Sequence, residues 1–409
     1  MHLAQVKKYK MSPQTIYIAI SALREAGVTI TATMFGLYLV HLGIPYYLIP
    51  ITQAIFVTVI VLSEIPTGML ADTRGRGWSM RMGAGLFTLG MLVYASAQGF
   101  WSAILAESTI AIGFAFFSGA ERAWITDAIN NMIPDEREAE IVKKQTFARQ
   151  GYFGSMAYLV AGFIGALLAI SNYRLVWLAG AAMGAAGLLL AMWQVNGQGE
   201  PSEKIGELKA LKDSLAKLKA NKNLQWVFVI SCVSKISVVF FPFWSIYFMD
   251  YVHGQLGLGI VWIPMYGANG LGAYLVGRWA KTRLMINHEN HIISFSVLLM
   301  GLGLFYAGFV NNVWLGLTGI MILEFGFGIL KPMTNAYIEN RVGSSYRATF
   351  GSLESFVGRS SGLLVQLSAF SLAFGKPSDR QTVTHLWTHM GAALAILTIL
   401  VWLFRPRKI

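Results

Sequence analysis

A chain of 409 residues that is 55% hydrophobic and only 13% charged lacks the polar surface to coat a water-facing globule, for which about 25% charged residues is usual. Lipid must be the solvent for most of it. The formal net charge of +12 does not signal nucleic acid, because a nucleic-acid binder gathers basic residues into a patch or stripe on a folded domain, and here they fall between apolar segments.

In chain order, Lys7, Lys8 and Lys10 precede an apolar stretch too long for a signal-peptide core and without a small-x-small cleavage site, so it is expected to stay as the first membrane helix. A spanning helix needs about 20 mostly apolar residues. Six such segments are predicted at approximately 14 to 40, 44 to 70, 80 to 97, 101 to 126, 146 to 169 and 174 to 195. Six more are predicted at approximately 224 to 249, 257 to 279, 291 to 310, 313 to 336, 347 to 371 and 385 to 404. Cys232 lies within the seventh; a single cysteine builds neither a disulfide framework nor a cysteine-based metal site, and it reads as a small packing residue. Between the two sets lies the one long polar stretch, 196–223, where Leu208, Leu211, Leu215 and Leu218 recur at helical spacing among lysines. Part of it is expected to be an amphipathic helix on the membrane surface. The organisation is thus a six-helix bundle over 1–195, a central loop over 196–223 and a second six-helix bundle over 224–409.

Basic residues fall on alternate connections. The N-terminal lysines, Arg74 and Arg76, Arg137 with Lys143 and Lys144, the central lysines, Arg278 with Lys281 and Arg283, Arg341 with Arg347, and the C-terminal Arg405, Arg407 and Lys408 share one side. The other side holds little beyond Arg174, Lys376 and Arg380. The positive-inside rule then places both termini and the central loop in the cytoplasm, which requires an even number of spans. The halves also echo each other: Gly68, Gly75 and Arg76 recur as Gly270, Gly277 and Arg278, and Thr126, Asp127 and Ala128 recur as Thr334, Asn335 and Ala336. Two parallel repeats are one known transporter construction.

The segment Gly68-Met-Leu-Ala-Asp-Thr-Arg-Gly-Arg76 resembles the signature loop between helices two and three of the major facilitator superfamily, roughly G-x-L-a-D-r-x-G-r-k. Gly68, Leu70, Ala71, Asp72, Gly75 and Arg76 match, while Gly77 stands where a lysine is usual. The glycines would allow close helix approach and a sharp turn. The resemblance implies an all-α membrane fold of twelve transmembrane helices in two pseudo-symmetric six-helix bundles. It also implies a cytoplasmic gate in which Asp72 faces a helix N-terminus and Arg76 engages an acidic partner, Asp127 first among them. Tyr274 occupies the repeat position of Asp72, so the second-half gate is expected to be weaker. Ser118 to Asp127 and Arg347 to Arg359 look like exporters and uncharacterised permeases of that superfamily. Two departures count against a drug/proton antiporter: helix five has Gly151, Gly154, Gly162 and Gly165 but no proline, and Glu107 stands where such antiporters tend to carry an arginine in helix four.

Charged groups at bilayer depth are costly and are by default functional candidates. Arg24 and Glu25 share the first helix but point about 100° apart, so they are expected to address different partners rather than each other. Arg24 either lines the cavity or snorkels to the surface. Glu107, Phe114, Ser118 and Glu121 fall on one stripe of helix four. Glu121 and Arg122 are assigned to the gate, while Glu107 either carries a coupling proton or reaches the outer headgroups. Glu25, Glu107, Glu324 and Glu354 are the proton-coupling candidates. Arg24, Phe114, Ser118, Arg149, Lys235, Trp244, Tyr266 and Arg359 are the cavity candidates, with Lys235 and Arg359 either holding an anionic group or pairing structurally, and the aromatics either flooring a site or simply packing.

Neither a Walker A sequence nor H-E-x-x-H is present, and the histidines are scattered; His288 and His291 share a loop where a solvated role is expected. No enzyme, cofactor or metal is expected. The leading expectation is a monomeric, proton-coupled exporter of a small amphipathic organic compound or drug, anionic ones included, in a bacterial inner membrane. Its partners are the small-molecule substrate, protons and the lipid bilayer. An uptake symporter or facilitator for a metabolite is the alternative, and a non-transporting receptor on the same fold a third.

Overall fold

The structure, a computed structural model, describes residues 11–117, 120–195, 216–249, 251–252, 254–279, 282–339, 341, 347–377 and 379–406. All regular structure among them is helical. The helices are α1 (Pro13–Ala32), α2 (Phe35–His41), α3 (Ile49–Arg74), α4 (Arg76–Ala95), α5 (Phe100–Phe117), α6 (Ala120–Met132), α7 (Glu136–Ser171) and α8 (Tyr173–Gln194). There follow α9 (Lys222–Ser234), α10 (Trp244–Met249), α11 (Gly254–Trp279), α12 (Arg283–Asn287), α13 (Glu289–Phe309), α14 (Val313–Glu339), α15 (Arg347–Ala373) and α16 (Arg380–Leu403). Side-chain oxygens of Ser12, Asp135, Asn172, Asn221 and Asp379 cap α1, α7, α8, α9 and α16, satisfying backbone N–H groups that a helix cannot satisfy itself.

Eight helical segments among the described residues are long and apolar enough to cross a membrane, and the bent pair α1 and α2, angled by 50°, makes a ninth. The remaining three long helices, α4, α11 and α15, have 20, 26 and 27 residues. Their length suffices at about 1.5 Å per residue. Glycine, polar and charged residues dilute their apolar stretches, so composition alone understates them. With α5 and α6 forming one span and α9 and α10 another, the twelve segments expected from the sequence are all present. The central stretch 196–223, with its expected amphipathic helix, lies mostly outside the described residues.

Two spans are broken, each for a local reason. In the seventh, Lys235–Phe240 is a 3-10 helix. Ser234 and Ser237 donate their hydroxyls to carbonyls three residues back, at 2.6 Å each, which competes with α-helical bonding. Pro242 then removes an N–H and crowds the preceding turn. In the first, the chain bends at Thr33, whose hydroxyl donates to Gly162 O at 2.7 Å instead of to its own helix.

The chain divides into two compact units, one made of Met1–Ile44, Ile55–Glu203 and Gly254–Gly259, the other of Pro45–Ala54, Lys204–His253 and Ile260–Ile409. Each unit has the same internal plan. In the first, α4 packs on α5 and α8, and α1 packs on α7 and α8. In the second, α13 packs on α14 and α16, while the seventh span packs on α15 and α16. These are corresponding pairs in a six-helix repeat.

Small residues let the backbones approach. A Cβ on Gly83 would lie 2.9 Å from Gly113 O, and one on Gly113 would lie 3.0 Å from Gly83 O. The corresponding contact of the second unit repeats the device, a Cβ on Gly319 falling 2.7 Å from Gly303 O. At the α13 contact with α16, a Cβ on Gly391 would lie 2.7 Å from Phe305 Cα and 2.9 Å from Gly301 O. Gly391→Val is therefore expected to lower stability by about 1–3 kcal/mol through overpacking. The measurement is the midpoint of thermal unfolding in detergent, with Gly267→Ala, where no atom of the described residues lies within 4 Å, as the neutral control.

Candidate functional site

Tyr17, Ser21 and Arg24 follow at spacings of four and three, which sets them on one face of α1. On that face Arg24 lies between two carboxylates, Glu25 Oε1 at 3.1 Å and Glu121 Oε2 at 3.3 Å. Ser21 donates its hydroxyl to the other oxygen of Glu121. The guanidinium sits 5.8 Å from the Phe114 ring and 5.6 Å from the Phe117 ring, within cation–π reach of both. Phe114 in turn meets Phe56 and Phe87 edge to face. The Arg24 side chain is only 17% exposed, and its Nε has no hydrogen-bond partner among the described residues. One cation and two anions give this buried cluster a formal charge of −1.

Two expectations need correcting here. Arg24 and Glu25 do pair with each other: their Cα–Cβ bonds diverge, but the three-methylene stem of arginine bends the guanidinium back across the gap. Glu121 joins Arg24, not Arg76, because it opens α6 on the side facing α1. Its neighbour Arg122 is exposed, 5.9 Å from the Phe147 ring. Arg149, on the same unit, is exposed as well.

Gly75 separates α3 from α4 with φ +93°, a left-handed conformation that favours glycine. The turn brings Arg76 against α6, where Nη1 bonds Asp127 Oδ2 and donates to Ala123 O at 2.9 Å. Gly68 does not show the close approach expected of it: no atom among the described residues would meet its Cβ within 4 Å, and its repeat counterpart Gly270 is equally open. The Asp72 side chain and all of Ser118 lie outside the described residues. At the matching junction of the second unit, sequence reasoning missed a pair. Glu289, opening α13, bonds Arg341 just beyond α14 at 2.8 Å. The helix that carried the cation in the first unit carries the anion here.

Glu107 is buried, 5% exposed, and accepts a hydrogen bond from Tyr94 Oη at 2.8 Å. Tyr94 stacks on Trp177 with centroids 4.0 Å apart. Glu107 thus sits between helices of the first unit and does not reach the headgroups. In the second unit Glu324 is 1% exposed; one carboxylate oxygen accepts from Asn269 Nδ2 at 2.8 Å and the other has no partner among the described residues. Asn269 was missed by sequence reasoning, although a lone amide in an apolar helix is itself a signal.

Lys235 starts the 3-10 segment, and its terminal carbon lies over Gly358 of α15, where a Cβ would come within 3.0 Å. Arg359 follows directly, and Glu354, five residues before it, lies about 140° round α15 from it; both are half-buried. Trp244 is buried against Trp262, 5.5 Å between centroids, and Trp262 lies 3.9 Å from Tyr266. Trp244 is therefore a packing residue, and Tyr266 is the half-exposed end of the ladder.

Removing one member of a buried pair leaves the other uncompensated. Arg24→Ala, which leaves Glu25 and Glu121 without their cation, is expected to destabilise by about 3 kcal/mol, and the Arg24→Ala/Glu121→Ala double variant by less than the sum of the singles. Thermal unfolding of the four proteins of the cycle checks this.

The Major Facilitator Superfamily profile matches residues 17–366. No relative of curated function is matched by sequence. Among solved structures, the nucleoside transporter NupG is similar with TM-score 0.77 at 14% identity, covering 97% of this chain and 100% of that one. A mutant of the same transporter gives TM-score 0.78 at 12% identity, covering 96% and 99%. The peptide transporter POT in complex with sulfate gives TM-score 0.68 at 13% identity, covering 95% and 93%.

Proposed function

Because the chain belongs to the major facilitator superfamily, a multi-pass membrane transporter fold, we propose that it is a proton-coupled secondary transporter of a small organic molecule working by alternating access. The observation that carries this is the cluster of Arg24 between Glu25 and Glu121. With two carboxylates for one guanidinium it carries an excess negative charge at membrane depth, which a proton or a cationic group of the cargo would neutralise. Glu324 supports the same reading from the second unit, since it is buried with one oxygen unpartnered. Lys235 and Arg359 supply cations suited to an anionic group of the substrate, and Phe114 and Tyr266 supply apolar surface. The Arg76 and Asp127 pair is proposed as the gate latch, broken and remade as the cavity switches sides.

Export by antiport is the proposed direction, on the resemblance of helices four and eleven to exporters. Uptake by symport is the second reading, favoured by the likeness to a nucleoside and a peptide transporter. The distribution of basic residues supports cytoplasmic termini in a bacterial inner membrane, and a monomer suffices for the mechanism.

Reconstituted vesicles containing a pH-sensitive dye separate these readings once a thermal-shift screen has found a stabilising compound. Cargo added to wild-type vesicles is expected to move protons, outward from an acidified lumen for antiport and together with cargo for symport. Glu25→Gln and Glu324→Gln are expected to cut gradient-driven transport by about tenfold while downhill exchange persists. Full gradient-driven transport in both variants would exclude them as coupling sites, and transport unaffected by collapse of the pH gradient would exclude proton coupling.

A further inference from the structure

At the end of the second unit where α13 begins and α16 finishes, two concavities meet. One, of about 290 Å³, is polar and is lined by Asn223, Glu289, Asn290, Arg341 and Arg405. The other, of about 560 Å³, is an apolar groove between α13 and α16, lined by Ile292, Phe295, Leu298, Ile399 and Trp402. His288 and His291 line both, and so stand at the junction. From His288 to Leu298 the groove follows about 15 Å of helix toward the middle of the membrane.

The junction is built. The Trp402 indole N–H donates to His291 Nδ1 at 3.4 Å, and the Arg405 guanidinium lies 4.1 Å from the Trp402 ring centroid while donating to Trp402 O at 3.0 Å. Asn290 Nδ2 ties α13 to Pro406 O at 3.1 Å, holding Pro406 beside the pocket. Glu289 is the acid of the polar pocket, and Arg341 holds it at 2.8 Å. Two arginines against one glutamate leave the pocket at +1, before any protonation of the two histidines.

A cationic pocket opening onto an apolar trough fits a molecule with an anionic head and a hydrocarbon tail. We propose that this is a binding site for an anionic phospholipid, its phosphate between His288, His291 and Arg405 and one acyl chain along Phe295, Leu298 and Ile399. Charge selects the headgroup and the groove holds the chain, so both parts of the ligand are needed. The solvated role expected for the two histidines from sequence is replaced by a headgroup role.

The test is native mass spectrometry of the purified full-length protein with phosphatidylglycerol, phosphatidylcholine or inorganic phosphate added. Phosphatidylglycerol is expected to be retained at least about fivefold better than phosphatidylcholine. The His288→Ala/Arg405→Gln variant is expected to lose that preference while still retaining some lipid, Arg405→Lys to keep it, and Ile399→Trp, which fills the groove, to retain less of either lipid. Each variant is compared at equal unfolding midpoint, so a loss cannot be ascribed to misfolding. Equal retention of the two lipids by the wild type, an unchanged preference in His288→Ala/Arg405→Gln, or displacement of phosphatidylglycerol by millimolar phosphate would overturn the proposal. The last of these would mark an anion pocket without a lipid.

Discussion

A polar group inside a bilayer has no water to fall back on, and every feature of this chain is shaped by that. Backbone amides close their hydrogen bonds within each helix. Helices then gain little by burying side chains from one another, since lipid is as apolar as leucine, and they associate where glycines permit backbone contact. Gly83 with Gly113, and Gly303 with Gly319, are such places. Charges admitted to this medium must find partners in the protein, as Arg24 does with Glu25 and Glu121.

The two units answer these demands with one plan. The third helix of each repeat packs on the fourth and sixth, and the first packs on the fifth and sixth. Polar detail is where they part. Arg76 at the start of α4 meets an aspartate in the first unit, whereas Glu289 at the start of α13 meets an arginine in the second. The repeat therefore holds as a packing scheme, while the ion pair beside the third helix of each unit is built from different positions.

Hydropathy made the twelve spans legible, because segment length against membrane thickness is a property of the sequence alone, and the resemblance of the Gly68 to Arg76 motif made the family legible. Which helix faces which was not legible. Periodicity put Glu121 on a stripe with Glu107, Phe114 and Ser118, yet only the packing of α1 against α6 brings Ser21 and Arg24 to it. The pairing of Arg24 with its own neighbour escaped because helical geometry describes where Cβ points and not where a long side chain ends. Arg341 was read as a loop charge because its partner lies 52 residues away. The broken seventh span was within reach: Ser231, Ser234 and Ser237 at intervals of three, followed by Pro242, are the chemistry of a tightened helix.

That break also has a mechanical consequence. Six residues wound as a 3-10 helix rise about 12 Å and turn about 720°, whereas the same six wound as an α-helix rise about 9 Å and turn about 600°. Rewinding Lys235–Phe240 would draw the two ends of the span together by about 3 Å and twist them by about a third of a revolution. The segment is a screw thread set into an otherwise rigid rod, with Lys235 at its first turn.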